Sequence, residues 1–432
     1  MKKTFIGALG ALAVVGAGAF FAITILPQTR SYPLTQTPAE GEALAAKVAR
    51  GEYIARASDC VACHTAPEGG APFAGGYRMD TPFGAILSSN ITSDPETGIG
   101  NWTEERFNAA VRHGIGRHGF LYPAMPYTAY AKMTDADIDD LWAYMQTVPA
   151  VQNAVVENQL PFPYNQRWLL SGWNLLFFHA DVFAPDQAQS EQINRGAYLV
   201  EGPGHCAACH TAKNALGGDG PAALAGGTLG GWHAPDLTGN PHTGLGRWSA
   251  QDIATYLKTG ANDHSVSSGP MTEAIENSTQ YLTDEDLAAI AAYLKALPAK
   301  GPQPPAALAS DDPVMVLGAK VYSAQCEACH VPSGSGIPNM IPALLGNAAL
   351  NAEDPVNLIR TVLTGAPGVM THENQTAAGM PRFDWKMPDD NIAAVLTYLR
   401  NAGGNAAAPV TPQMVAKARQ DLGAGPWIGA AH

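Results

Sequence analysis

Three copies of the pattern Cys-x-x-Cys-His, running Cys60 to His64, Cys206 to His210 and Cys326 to His330, account for every cysteine in the chain. Two thiols separated by two residues lie on one side of a helical turn, where both reach the vinyl groups of one haem. The histidine that follows then turns its imidazole onto the iron. Each motif predicts one covalently attached haem c. Cys60 with Cys63, Cys206 with Cys209, and Cys326 with Cys329 are the attachment pairs, and His64, His210 and His330 are the proximal ligands. A structural zinc site would need a second pair of thiols or imidazoles nearby, and a redox-active dithiol has no use for the trailing histidine. Three copies argue against both, and no cysteine is left for a disulfide.

At 432 residues the chain is too long for one small core and suits about three units of roughly 100–150 residues, one haem to each. Glycine (45) and proline (33) are plentiful while charged residues make up only 15%. This suits small loop-rich domains whose interiors are completed by a large apolar cofactor. The net charge of −13, with no basic tract, excludes a nucleic-acid surface. Thioether attachment of haem takes place outside the cytoplasmic membrane in bacteria, so the haem domains are expected on the periplasmic side. Lys2 and Lys3 precede an uncharged, mostly apolar run from Phe5 to Leu26. At 1.5 Å per residue that run is long enough to cross roughly 30 Å of hydrocarbon with its positive end inside. A signal peptide cleaved after Ala17-Gly18-Ala19 is the alternative. The run continuing past that site to Leu26 favours a retained anchor over residues 1–30.

Aligning the motifs exposes a longer repeat. Before each comes a helix-like segment with glycine followed by an aromatic: Gly51 to Tyr53, Gly196 to Tyr198, and Gly318 to Tyr322. After each comes Phe73-Ala74-Gly75, Leu224-Ala225-Gly226 or Leu344-Leu345-Gly346. The first two copies then share, at identical spacing, the stretch from Asn90 through Trp102-Thr103 and from Asp236 through Trp248-Ser249. The hydroxyl residue after each tryptophan is placed to cap a helix in which Phe107 and Val111, or Ile253 and Leu257, lie one turn apart. Each copy closes on an amphipathic helix, 134–147, 283–297 and 389–401, with Tyr144, Tyr293 and Tyr398 in the same place. The repeats place domains at 45–150, 193–299 and 314–404. Between them lie an aromatic linker, 151–192, and a Pro/Ala-rich one, 300–313, and a tail follows over 405–432 with one amphipathic stretch, Pro412 to Leu422.

A haem used only for electron transfer benefits from a sixth ligand, and methionine sulfur stabilises its ferrous state. Candidates lie after the haem motif and before the closing helix, in a stiffened loop. Met125 in Pro-Ala-Met-Pro, Met271 after Gly269-Pro270, and Met380 before Pro381 meet this requirement. Met133 and Met387 are rivals, and methionine is often core filler. His113, His118, His264 and His372 compete as ligands but read better as solvated or propionate-contacting residues, and His205 adjoins Cys206 too closely to reach the distal face. Pro342 is a plausible carbonyl partner for a ligand histidine in the third copy. The segment 167–178, with Trp168, Trp173, Phe177 and Phe178 beside Arg167, is either a helix packed between domains or a patch that docks on membrane or partner.

With these residues in hand, the chain resembles the tri-haem cytochrome c subunits of bacterial membrane-bound dehydrogenases, from Gly51 to about Leu422. Its most specific stretches are Thr97 to Thr103, Leu121 to Tyr127, Leu160 to Pro163 with Trp173 to Phe177, and Gly202 to His205 leading into Cys206. The periodicity alone gives small helical domains. The resemblance implies the fold, mainly α, with three tandem class I cytochrome c-like domains preceded by one N-terminal hydrophobic helix. It further implies three covalent haems c and electron flow from a catalytic subunit of quinoprotein, flavin or molybdenum type to ubiquinone in the cytoplasmic membrane. A small third subunit accompanies some such complexes. The retained N terminus tilts the reading toward the aldehyde-oxidising branch. The alternatives are a multi-haem enzyme with one open, peroxidase-like haem site, and a free-standing carrier or oxidase-associated cytochrome.

Overall fold

The computed structural model describes residues 18, 20–35, 43–67, 69–301 and 303–423. It is mainly helical, with short two-stranded hairpins between helices. Two compact units are formed: one from the chain up to Ala55 together with Cys63–Ala184, the other from Arg56–Ala62 with the chain from Pro185 onward. The second and third haem motifs therefore share one unit, and the boundary between units falls inside the first motif.

Each motif is framed by the same helix crossing. Opening helices Leu44–Ala57, Glu191–Glu201 and Pro313–Gln325 cross closing helices Asp135–Met145, Asp284–Ala296 and Asp389–Leu399. A Cβ placed on Gly51 would lie 1.9 Å from the Asp140 carbonyl oxygen and 2.7 Å from Tyr144 Cβ. At Gly196 the distances are 1.9 Å to the Ala289 oxygen and 2.8 Å to Tyr293 Cβ, and at Gly318 they are 2.2 Å to the Ala394 oxygen and 2.5 Å to Tyr398 Cβ. The repeated glycine is there because backbone meets backbone at the crossing, where no side chain fits. The repeated tyrosine is the residue it meets.

Helix starts follow the local signals. Thr134 and Thr283 accept from the amides of Asp137 and Asp286, and Thr103 and Ser249 from those of Arg106 and Asp252, the last as a full capping box. The first two closing helices thus begin one residue after the threonine, which is the cap. The third starts after Pro388 with no side-chain cap. Hairpins Arg78–Thr81 with Gly84–Leu87, and Gly227–Leu229 with Trp232–Ala234, follow the first and second motifs.

The segment 151–192 is more than a connection. Its helix Leu170–Phe177 packs within the first unit, where the Tyr127 hydroxyl donates to Asn174 Oδ1 (2.7 Å) and the Tyr127 ring lies edge-on to Trp173 and Phe178. The tail is likewise part of a core: Val410, Val415 and Ala418 are buried against Leu396 of the last closing helix, and Arg419 bonds to Asp389 (2.9 Å). Only the end of the expected anchor falls among the described residues, as helical turns Phe21–Ile25 and Leu26–Thr29. The stretch from Lys2 to Ala17 lies outside them. No helix among the described residues is long and apolar enough to cross a membrane.

Candidate haem sites

Each motif folds as a single helical turn, Cys60–Cys63, Ala207–His210 and Glu327–His330, and no disulfide joins any of the six cysteines. The following histidine is held in one orientation by a backbone carbonyl. His64 Nδ1 lies 2.7 Å from Ser89 O, His210 Nδ1 2.7 Å from Pro235 O, and His330 Nδ1 3.3 Å from Pro342 O. A carbonyl oxygen only accepts, so the ring proton sits on Nδ1 and the Nε2 lone pair is left for a metal. Burial holds all three imidazoles below their ordinary pKa, opposed by the carbonyl bond, and so keeps them neutral. Burial also pushes the Cys206 thiol up to about 12 and Cys326 up to about 11. These are protonated sulfurs, unlike the activated thiolates of redox or zinc sites. Among the described residues no group of three or more His, Cys, Asp or Glu side chains gathers to hold a metal ion. This donor set fits a haem taken covalently at two sulfurs and axially at one imidazole.

The Pro342 carbonyl is where the sequence places it. Its counterparts, Ser89 and Pro235, directly precede the Asn90 and Asp236 that open the shared repeat, and the hairpins deliver both. The turn after each of the first two motifs is also shared. Gly75 and Gly226 donate to the carbonyls of His64 and His210 (2.7 and 2.9 Å), and the amides of Phe73 and Leu224 bond to the hydroxyls of Thr65 and Thr211 (3.2 and 3.0 Å). Phe73 and Leu224 adopt φ of 63° and 60° while buried, a costly backbone state for large side chains that persists where surroundings impose it. In the third copy Val331 replaces the threonine, and the Tyr322 hydroxyl bonds to its carbonyl instead (2.6 Å).

Burial separates the methionines. Met133 and Met387 are buried in their cores, whereas Met125, Met271 and Met380 are partly exposed, as are the proximal histidines. Met125 sits in a turn, its amide 3.0 Å from Tyr122 O and its carbonyl 2.8 Å from Tyr127 N. Met271 lies in the first turn of helix Pro270–Asn277 rather than in a loop. Met380 is pinned to Ala366 by two backbone bonds of 2.8 and 3.0 Å. The competing histidines have other partners. His264 stacks on Trp248 at 5.3 Å and lies 3.3 Å from Asp252, and His113 packs on Tyr32 at 4.3 Å, where burial and then Arg112 and Arg30 lower its pKa to about 4. His372 lies edge-on to Tyr281, His205 bonds to the Ser58 backbone, and His118 is exposed.

Histidines with a fixed tautomer beside paired thiols, each under a glycine-mediated helix crossing, define a c-type cytochrome. Residues 193–298 and 315–403 match the Cytochrome c family, and residues 46–145 match Cytochrome C oxidase, cbb3-type, subunit III. The chain is 42% identical over 407 residues to the gluconate 2-dehydrogenase cytochrome c subunit of Pantoea cypripedii, covering 89% of this chain and 92% of that one. It is 42% identical over 419 residues to the cytochrome c subunit of alcohol dehydrogenase (quinone) of Gluconacetobacter polyoxogenes, covering 90% and 87%. It is 37% identical to the fructose dehydrogenase cytochrome subunit of Gluconobacter japonicus, covering 90% and 86%. The chain belongs to this family of dehydrogenase cytochrome c subunits, and its part is electron transfer rather than substrate oxidation.

Proposed function

We propose that the chain carries three covalent haems c and passes electrons from a dehydrogenase catalytic subunit, of quinoprotein, flavin or molybdenum type, to ubiquinone at the periplasmic side of the cytoplasmic membrane. The observation that carries the haem count is the threefold recurrence of an imidazole bonded through Nδ1 to a backbone carbonyl beside a cysteine pair. When bound, haem supplies one-electron chemistry at the iron. The protein's own part is to hold Cys60 and Cys63, Cys206 and Cys209, and Cys326 and Cys329 for attachment, and to aim Nε2 of His64, His210 and His330.

Met125, Met271 and Met380 are the proposed distal ligands. Their support is partial exposure, with a backbone bonded on both sides at Met125 and Met380 and held in the first turn of a helix at Met271, against the core burial of Met133 and Met387. The domain limits 45–150, 193–299 and 314–404 are supported by equivalent ties at the first two ends: Val151 N bonds to Thr92 Oγ1 (3.3 Å) and Lys300 N to Thr238 Oγ1 (3.1 Å). The test is spectroscopic. Iron and pyridine haemochrome analysis should give three haems per chain. The long-wavelength ferric band of His–Met coordination should fall in steps through Met125→Ala, Met271→Ala and Met380→Ala. A high-spin haem in the unmutated protein rejects the ligand assignment at that site and reopens the peroxidase-like reading.

A further inference from the structure

In the first unit the apolar N-terminal run ends against a cavity of about 430 Å³ whose lining includes Gln28, Arg30, Tyr32, Glu105, Arg106 and Arg117. Three guanidinium groups face one carboxylate there, in a chain of net charge −13. Glu105 is already engaged, accepting from the Tyr32 amide at 2.9 Å and from the Ser31 hydroxyl. Arg117 spends its two terminal nitrogens on the carbonyls of Glu96 and Gly98. Arg30 and Arg106 make no ion pair among the described residues and lie near aromatic rings, 5.9 Å from Tyr32 and 5.0 Å from Trp102. Both are exposed. Among the described residues the cavity lining thus carries three arginines against one glutamate.

Its position says what covers it. Phe20, Phe21 and Leu26, immediately before Gln28, are about half exposed. Their segment joins the linker helix through a Thr24–Ser171 hydroxyl bond (3.1 Å) and the turn before that helix through an edge-on Phe20–Trp168 contact at 6.0 Å. On that helix Leu175 is 68% and Leu176 63% exposed. Two contacting segments distant in sequence thus each leave large apolar side chains uncovered, and in the sequence the N-terminal one continues upstream as an apolar run to Phe5. Tryptophan, phenylalanine and leucine bordered by arginine are the composition of a surface set at headgroup depth.

We infer that this cavity binds the phosphate headgroup of an anionic phospholipid, with the acyl chains lying against these uncovered apolar side chains. Arg30 and Arg106 are the phosphate donors, since a guanidinium fork matches phosphate oxygens in pairs. The inference rests on the membrane placement proposed above and adds a selective lipid contact to it.

The test uses the haem-loaded full chain, delipidated in a neutral detergent and titrated with phosphatidylglycerol or phosphatidylcholine of identical acyl chains, with bound lipid counted by native mass spectrometry. Phosphatidylglycerol should be retained in preference. Arg30→Gln and Arg106→Gln should each weaken its retention roughly fivefold, the scale for one basic residue at an anionic surface, and together abolish the preference. Arg30→Lys should keep most of it. Equal retention of the two lipids, or a preference unchanged in the double variant, overturns the inference. Displacement by equimolar inorganic phosphate or by a short-chain ubiquinone analogue also overturns it, because the site would then be a free-anion or quinone site. Haem content and the ferric spectrum of the same samples should not change. A spectrum without the His–Met signature in the unmutated protein, alongside an intact lipid preference, counts against the ligand assignment alone.

Discussion

Gly196→Ala places a methyl group 1.9 Å from the Ala289 carbonyl oxygen, 2.5 Å from its carbon and 2.8 Å from Tyr293 Cβ. A comfortable carbon contact needs roughly 3.5 Å, so helices Glu191–Glu201 and Asp284–Ala296 must part by well over an ångström. The obstacle is a helical carbonyl that has no rotamer to escape into. Two bonds across the same crossing would be strained with it, from Tyr293 Oη to Glu201 (2.5 Å) and from Arg195 to Asp286 (2.7 Å). Overpacking of this kind costs about 1–3 kcal/mol, and a rigid backbone obstacle puts it at about 3. Replacing glycine inside a helix returns about 1 kcal/mol of propensity. The net loss of about 2 kcal/mol corresponds to a fall in melting temperature of about 4–8 °C for a unit of this size. The control is Gly172→Ala in helix Leu170–Phe177, where the new methyl meets nothing within 4 Å, so propensity alone operates and the protein is stabilised. Far-UV circular dichroism of the haem-loaded chain on heating, with Soret absorbance followed in parallel, measures both. A Gly196→Ala protein that melts at or above the wild-type temperature refutes the close-packing argument. Gly51→Ala and Gly318→Ala should behave as Gly196→Ala does.

Glu104 is a second test, through pH. Burial, and then its contact with Asp139, raise its pKa from the ordinary 4.5 to about 7 against the opposing charge of Lys47. The folded protein therefore binds a proton there that the unfolded chain has released, and this group's contribution to stability declines as pH rises from about 4.5 to about 7. Glu104→Gln should flatten that slope and raise the urea midpoint at pH 8 more than at pH 4.5, and equal midpoint changes at the two pH values would contradict it. N-terminal sequencing of the mature protein should find residues upstream of Ala19 if the apolar run is retained, whereas a start at Phe20 identifies a signal peptide. Replacing Trp173 and Phe177 together with serine should disturb the Tyr127 region and haem loading, because these rings pack internally. Leu175→Ser with Leu176→Ser should leave loading intact and lower membrane retention, and the reverse pattern would show that the apolar face is not on the outside.

Covalent haem attachment, the duplicated units, the helix caps and the repeated glycine and tyrosine were legible from the residues alone, whereas the crossing of the helices that carry them was implied only by the family resemblance. Each is local: two thiols and an imidazole on one turn, a hydroxyl before an acidic first turn, a glycine in a fixed place before each motif. The tertiary structure decided the rest. Ser89 and Pro235 serve as histidine partners through backbone carbonyls, and every residue type has a carbonyl, so only the hairpin that returns the chain there could single them out. Met133 and Met125 have the same side chain, and what distinguishes them is which one neighbouring elements cover. The aromatic linker helix and the amphipathic stretch Pro412 to Leu422 have sequences that fit either an uncovered segment or a packed one. On the first, Trp173 packs on Tyr127 while Leu175 and Leu176 stay exposed, and on the second Val415 and Ala418 are buried with Leu396, because burial depends on what folds against a residue, and its own sequence neighbourhood does not contain that information.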